Sequence, residues 1–210
     1  WKFSTFAGIT NSFGSINDLY NGFILLSAKN LSAKNTDIQQ TKSNFVGSRL
    51  EYRNPLNNIF FNVSYNFNDR TSNITYLNKL NVDSQQFILE GYNLENNSKT
   101  NSARTELGKY FPKLKTNASV GYNYSLSNYQ QLPANSTPTE SSFIDVEGRN
   151  QGVSVKFNNN YFSWLSVDYN ANWSFSKTQS PDDSDFNNQT DLFNHALSAY
   201  VYPFKNHTLG

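Results

Sequence analysis

The chain has 210 residues and a formal net charge of +1, with 37% hydrophobic and 16% charged residues against 33 Asn and 26 Ser. Both fractions lie below the globular averages of roughly 45–50% apolar and about 25% charged, while aromatics reach 16%. That excludes the usual charged disordered segment, which lacks aromatics, and argues against a helical domain, because Asn and Ser compete with the helix backbone; the charge gives no electrostatic case for a nucleic-acid partner.

Strands are expected, in chain order, at 1–10, 21–29, 43–53, 59–69, 100–111, 115–126, 147–158, 163–176 and 192–202, with a tenth beginning at Thr208. Ser15–Tyr20 has room for one helical turn. The carrying signal is period two. Ile59, Phe61, Val63, Tyr65 and Phe67 alternate with Asn62, Ser64, Asn66 and Asn68. Ala118, Val120, Tyr122, Tyr124 and Leu126 repeat the pattern against Ser119, Gly121, Asn123 and Ser125. Leu165, Val167, Tyr169, Ala171, Trp173 and Phe175 repeat it again around Asp168, Asn170, Asn172 and Ser174. Successive side chains of a strand point to opposite faces, so each segment has one apolar and one polar face. At about ten to twelve residues these strands are twice the usual length of about five or six.

Turns come in two sizes. Short ones are expected at 54–58, 112–114, 158–162 and 203–206, and long polar connections at roughly 28–42, 69–99, 127–147 and 177–191. Successive connections of an antiparallel meander lie at opposite ends of the sheet, so the short turns gather at one edge and the long loops at the other. An outer-membrane barrel has this asymmetry. The fold expected is therefore all-β: an antiparallel up-and-down meander of long strands, one segment of a transmembrane outer-membrane β-barrel. The longest apolar run, Phe23–Leu26, is far short of the roughly 20 residues of a spanning helix.

The alternation also assigns charges to faces. Arg49 and Glu51 oppose Val46, Leu50 and Tyr52; Arg104 and Glu106 oppose Ala103, Leu107 and Phe111; Lys156 opposes Val153, Val155 and Phe157; Asp168 lies on the polar stripe. Lys109 alone among mid-strand charges is expected on the apolar side, near a strand end where its stem can snorkel. A lipid-facing Arg or Lys at mid-depth costs about 2–4 kcal/mol, whereas a lumen-facing one need not. Arg49, Glu51, Arg104, Glu106, Lys156 and Asp168 are thus the candidate lumen residues, with structural ion pairs between neighbouring strands as the alternative role. Aromatics flank the short turns (Tyr52, Phe60, Phe61, Tyr110, Phe111, Phe157, Tyr161, Phe162, Trp164, Tyr202, Phe204) and approach the long loops (Tyr65, Phe67, Tyr122, Tyr124, Trp173, Phe175). From Trp164 to Phe175 the height is roughly 28 Å at about 3.3 Å per residue and a tilt near 40°, matching an apolar band of about 25 Å between two girdles.

Signs of catalysis are missing, so no enzyme, cofactor or metal is expected. Without Cys there is no disulfide or thiolate site. His195 and His207 are too few and poorly accompanied for a metal centre, and Asp182-Asp183-Ser184-Asp185 lacks the Gly and closing Glu of a calcium hand. No phosphate loop or nucleophile elbow occurs. Asn62-Val63-Ser64 and Asn123-Tyr124-Ser125 have glycosylation spacing but fall inside expected strands. The absence of Met, position 1 included, and the few residues after Thr208 read as an interior excerpt of a larger barrel.

Tyr52-Arg53-Asn54-Pro55-Leu56 leading into Phe60-Phe61-Asn62-Val63-Ser64-Tyr65, and Ser163-Trp164-Leu165 leading into Asp168-Tyr169, resemble the barrel region of TonB-dependent outer-membrane receptors of the SusC-like kind. Tyr202-Pro203-Phe204 and His207-Thr208-Leu209 fit the same style of periplasmic turn. The resemblance implies a 22-stranded barrel with an internal plug in the Gram-negative cell outer membrane. It implies uptake of a bulky nutrient energised by TonB, with outer-membrane lipid and a surface lipoprotein as further partners. The rival expectation is a secreted or surface-anchored β-sandwich that binds glycans or acts as an adhesin; it needs the apolar stripes of two sheets to face each other.

Overall fold

The computed structural model describes residues 1–15, 22–27, 29–33, 36–81, 86–133, 137–139, 142–181 and 187–202. Its strands are β1 (Lys2–Phe13), β2 (Phe23–Ser27), β3 (Asn30–Ala33), β4 (Gln40–Asn54), β5 (Ile59–Ser72), β6 (Thr75–Asn81), β7 (Gln86–Tyr92), β8 (Asn96–Phe111), β9 (Thr116–Gln131), β10 (Ile144–Phe162), β11 (Leu165–Gln179) and β12 (Asn188–Val201). Eight of them form one antiparallel sheet in the order β1-β4-β5-β8-β9-β10-β11-β12. These run from 12 residues in β1 to 19 in β10. The sheet is open, with β1 and β12 as its edges among the described residues.

Local chemistry explains the tight ends. At 55–58 the Asn58 amide donates to the Pro55 carbonyl at 3.4 Å and the Asn57 amide to Asn54 Oδ1 at 3.1 Å. Asn58 takes a left-handed φ of 51°, which Asn tolerates better than most residues. A single 3-10 turn at Pro112–Leu114 joins β8 to β9, closed by the Lys115 amide on the Pro112 carbonyl at 3.2 Å. The third tight connection is Ser163-Trp164. Long connections through 14–39, 73–95, 132–143 and 180–187 alternate with these, so the short and long ends segregate as expected.

One expected meander strand sits elsewhere. Of the segment 21–29, residues Phe23–Ser27 form β2 of a separate sheet, ordered β2-β3-β7-β6, built from the two long connections 14–39 and 73–95. Phe23-Ile24-Leu25-Leu26 is continuous rather than alternating, and would put apolar side chains on the polar face of the meander. β1 instead pairs directly with β4, from Lys2↔Glu51 to Phe13↔Gln40. The stretches 28–42 and 69–99, expected as plain loops, contain β3, β6 and β7. A parallel pairing, Asn30↔Phe87 to Ala33↔Glu90, ties the two connections together. The turn expected at 158–162 is also displaced: β10 runs on to Phe162, absorbing a register shift between Asn159 and Phe162. Residues 16–20 of the expected helical turn, the turn at 203–206 and the tenth strand from Thr208 lie outside the described residues.

Burial is concentrated at the loop end. Among the described residues, Ile74, Leu77, Leu132 and Val146 are the buried hydrophobic ones, with Ser32, Thr41, Ser72 and Thr75 close to the same end of the fold, while Thr116 and Ser166 are buried near the tight turns. Ser32 Oγ, Thr36 Oγ1 and Asn68 Oδ1 are buried there without a partner among the described residues, while other polar groups are bonded: Asn96 Nδ2 donates to Thr75 Oγ1 at 2.8 Å, Thr75 Oγ1 to the Leu94 carbonyl at 2.9 Å, and Ser72 Oγ to the Ile74 carbonyl at 3.1 Å. Buried hydroxyls need such partners to offset lost hydration. On the loop sheet, Lys79 Nζ donates to Glu90 Oε2 at 2.8 Å and to Tyr92 Oη at 2.9 Å, and Tyr92 Oη donates to Glu90. The bond from Lys79 holds the Glu90 carboxyl below its ordinary range, and the bond to Glu90 raises the Lys79 ammonium. Partial burial, then the bond to Glu90, raises the Tyr92 phenol.

Candidate functional site

The register of the large sheet assigns every strand residue to a face, because directly paired residues share one. Trp1, Tyr52, Phe61, Leu107, Val120, Val155, Ala171 and His195 form one row across all eight strands. The next row is Phe3, Leu50, Val63, Thr105, Tyr122, Val153, Trp173 and Phe193. Among the described residues no second layer covers this apolar face: Val120 is 52% exposed, Leu107 53%, Trp173 46% and Leu197 68%. The four-stranded sheet grows from the loop end and leaves the stripe open, so the facing pair of stripes that a sandwich needs is not formed by these residues.

The opposite face carries all six candidate residues. Glu51, Asn62 and Glu106 share a row that begins with Lys2, and Arg49, Ser64 and Arg104 share the adjacent row. Acidic and basic rows therefore lie side by side on β4 and β8. The ion pairs form within strands, between residues two apart, rather than between neighbouring strands as expected: Arg49 Nε lies 2.8 Å from Glu51 Oε1, and Arg104 Nη2 4.0 Å from Glu106 Oε2. The cross-strand neighbours of Arg49 and Arg104 are Ser or Asn, so each arginine reaches the carboxylate two residues along its own strand; Glu51 also has Lys2 directly opposite on β1. Lys156 and Asp168 sit apart from this quartet, on β10 and β11. They do not pair; Asp168 accepts from Asn158 Nδ2, and Lys156 is flanked by Ser119 and Asn170.

Three expectations about faces need correcting. Lys109 lies on the apolar side near the turns as expected, with its Nζ 5.2 Å from the Phe111 ring centre, but Glu147, Arg149, Lys177, Asp191 and His195 share that face. Arg149 falls opposite Leu126 and Lys177. Except for His195, which is level with Val120, these groups cluster toward the loop end, with Asp191 in the row of Phe175 and Arg149 and Lys177 in the row of Leu126, at the last rows of the apolar stripe. Their position follows from strands longer than expected, which carry the alternation to the edge of the apolar band. Phe60 and Tyr110 occupy the polar face, opposite Gly108 and Asn117, and so do not belong to an outward aromatic girdle. The polar face is also not purely polar. Phe6 lies over Gly47, Phe45 over Gly8 and Phe60 over Gly108, where an added Cβ would stand 2.3, 2.6 and 1.9 Å from the respective ring tips. Each ring occupies the space a cross-strand side chain would fill, a known way of covering strand glycines. Tyr161, Phe162 and Trp164 form the compact aromatic end expected at a short turn, with ring centres 5.0 and 5.6 Å apart in sequence.

The polar face also holds a depression of about 570 Å³ across β8–β12, within the range of roughly 300–1,000 Å³ typical of small-molecule sites. Its polar-face lining includes Arg104, Gly121, Asn123, Ser154, Lys156, Asn170, Asn172 and Asn194. The Asn and Ser residues were legible as the polar half of the alternation; what made them a site, the missing side chain at Gly121 and the cross-strand convergence, was not. His207 and Asp182–Asp185 lie outside the described residues, and among the described ones no three His, Cys, Asp or Glu cluster to hold a metal. Compared with known proteins, the chain matches no family model and no curated protein.

Proposed function

We propose that this chain is part of the wall of an outer-membrane β-barrel, a TonB-dependent transporter of the SusC-like kind that takes up a hydrophilic nutrient, with the apolar face toward lipid and the charged face toward the interior. The observation that carries this reading is the uncovered apolar face of strands 12 to 19 residues long. Monomeric proteins in water rarely expose contiguous apolar patches above a few hundred Å², whereas hydrocarbon stabilises such a surface. From Leu165 to Phe175 the stripe is roughly 25 Å tall at about 3.3 Å per residue and 40° tilt, the thickness of a lipid-facing band. Two phenol groups within the stripe are bonded to amides on the same face, as hydrocarbon favours: Tyr65 Oη donates to Asn101 Oδ1 at 2.7 Å and Tyr122 Oη to Gln151 Oε1 at 3.4 Å. TonB, a plug and a surface lipoprotein belong to the proposal through the sequence resemblance.

The chain contains no Cys, so a cysteine introduced into it, in a full-length protein whose other cysteines are replaced by serine, reports from a single position. A nitroxide attached to Val120→Cys is expected to be relaxed by oxygen and shielded from a water-soluble nickel chelate in lipid vesicles, and one on Ser119→Cys to behave the opposite way. Equal accessibility to the nickel chelate at both positions removes the barrel reading.

A further inference from the structure

The depression across β8–β12 gathers polar side chains that are not bonded to one another, whereas polar-face groups nearer the two ends of the sheet include bonded pairs: Asn158 with Asp168, and Thr100 with Ser127 at 3.1 Å. Among the described residues, Asn123, Ser154, Asn170, Asn172 and Asn194 make no side-chain hydrogen bond to another residue, and Lys156 makes no ion pair. Arg104 touches Glu106 only at the 4.0 Å limit, with its side chain 69% exposed. The floor is Gly121, where a Cβ would meet Ser154 Oγ at 2.6 Å. Charge on this face leans positive, with Lys2, Arg49, Arg53, Arg104 and Lys156 against Glu51, Glu106 and Asp168.

We infer that this depression is an anion-binding subsite, in which Lys156 and Arg104 receive a carboxylate or phosphate group while the surrounding Asn and Ser side chains bond the hydroxyls of the ligand body. Amides and hydroxyls each donate and accept, so they match hydroxyl groups in either sense. Among the described residues that line the depression, none on the polar side is aromatic, so no stacking platform is offered and charge is the discriminating feature. Arg presents a planar fork suited to carboxylate or phosphate and Lys a compact point charge. As a station for ligand passage, the subsite rests on the barrel reading.

The test is calorimetric titration of the full-length protein in detergent with glucose 6-phosphate, glucuronate and glucose, three probes that share one body and differ in charge. At least one anionic probe is expected to bind ten or more times as tightly as glucose and to weaken as salt rises. Lys156→Gln and Arg104→Gln are each expected to reduce that affinity at least threefold. Gly121→Leu, which fills the floor, is expected to abolish binding while the protein remains heat-modifiable. Preference for one anion identifies the carboxylate or the phosphate as the recognised group. Glucose binding as well as both anions, no anion binding, or unchanged anion affinity in both charge variants overturns the inference. Failure of the barrel reading is read separately, from the nitroxide at Val120: an aqueous label with anion binding intact removes the membrane and leaves the subsite.

Discussion

Substituting Val120 by arginine tests the physical basis of the proposed orientation. Val120 lies on β9 four residues above Thr116, so it stands roughly 10 Å up a band about 25 Å tall, at about 3.3 Å per residue and 40° tilt. Its row neighbours are Leu107 and Val155, and half its surface is uncovered. With water on this face, the change is an ordinary surface substitution worth within about 0.5 kcal/mol. With hydrocarbon on it, the arginine costs about 2–4 kcal/mol, which shifts the folding equilibrium by roughly 30- to 700-fold at about 1.4 kcal/mol per decade. Ser125→Arg is the matched control. It lies on the polar face of the same strand between Ser102 and Asn150, one row from Arg104, and is expected to stay within about 0.5 kcal/mol. Urea unfolding of the full-length protein in lipid vesicles, followed by its heat-modifiable gel mobility, measures both. A Val120→Arg protein no less stable than Ser125→Arg refutes the reasoning.

Two further outcomes concern the loop sheet and the glycine pairs. The lowered Glu90 pKa contributes stability present above its ordinary value near 4.5 and lost as pH falls through the lowered one, while the raised Lys79 and Tyr92 values contribute stability present below about 10 and lost above it. Protease resistance of the loop sheet is therefore expected to plateau between about pH 5 and 10, and Glu90→Gln to flatten the profile while costing under about 1 kcal/mol, since these groups are partly solvated; an unchanged profile in the variant excludes the triad as its source. Gly108→Val displaces the Phe60 ring and is expected to cost about 1–3 kcal/mol, most of it relieved when Phe60→Ala is added; additive losses in that double-mutant cycle show that the ring and the glycine do not interact.

The local alternation of residues such as Ile59–Asn68 and Leu165–Phe175 was sufficient to read strands, their two faces and the side on which Arg49, Glu51, Arg104, Glu106, Lys156 and Asp168 lie, because the pleat is a property of neighbouring residues. Strand ends were less legible. Polar residues such as Ser127–Gln131 continue β9 beyond the apolar stripe, paired with β10 rather than placed by hydrophobicity. The continuous run Phe23–Leu26 signals a strand, and its hairpin with β3 is local, but the parallel union of β3 with β7 depends on a second loop more than fifty residues away. The site shows the same division. Lys156 and Arg104 were visible as polar-face charges, while Gly121 became a floor only once β8, β10, β11 and β12 were aligned around it.

Side-chain alternation and turn chemistry act between residues close in the chain, and so the amino-acid order alone decided the all-β class, the long strands and the apolar and polar faces. Cross-strand register, the loop sheet and the depression arise from backbone hydrogen bonds between distant segments. Those pairings bring together groups that no local pattern relates, and only the tertiary structure decided them.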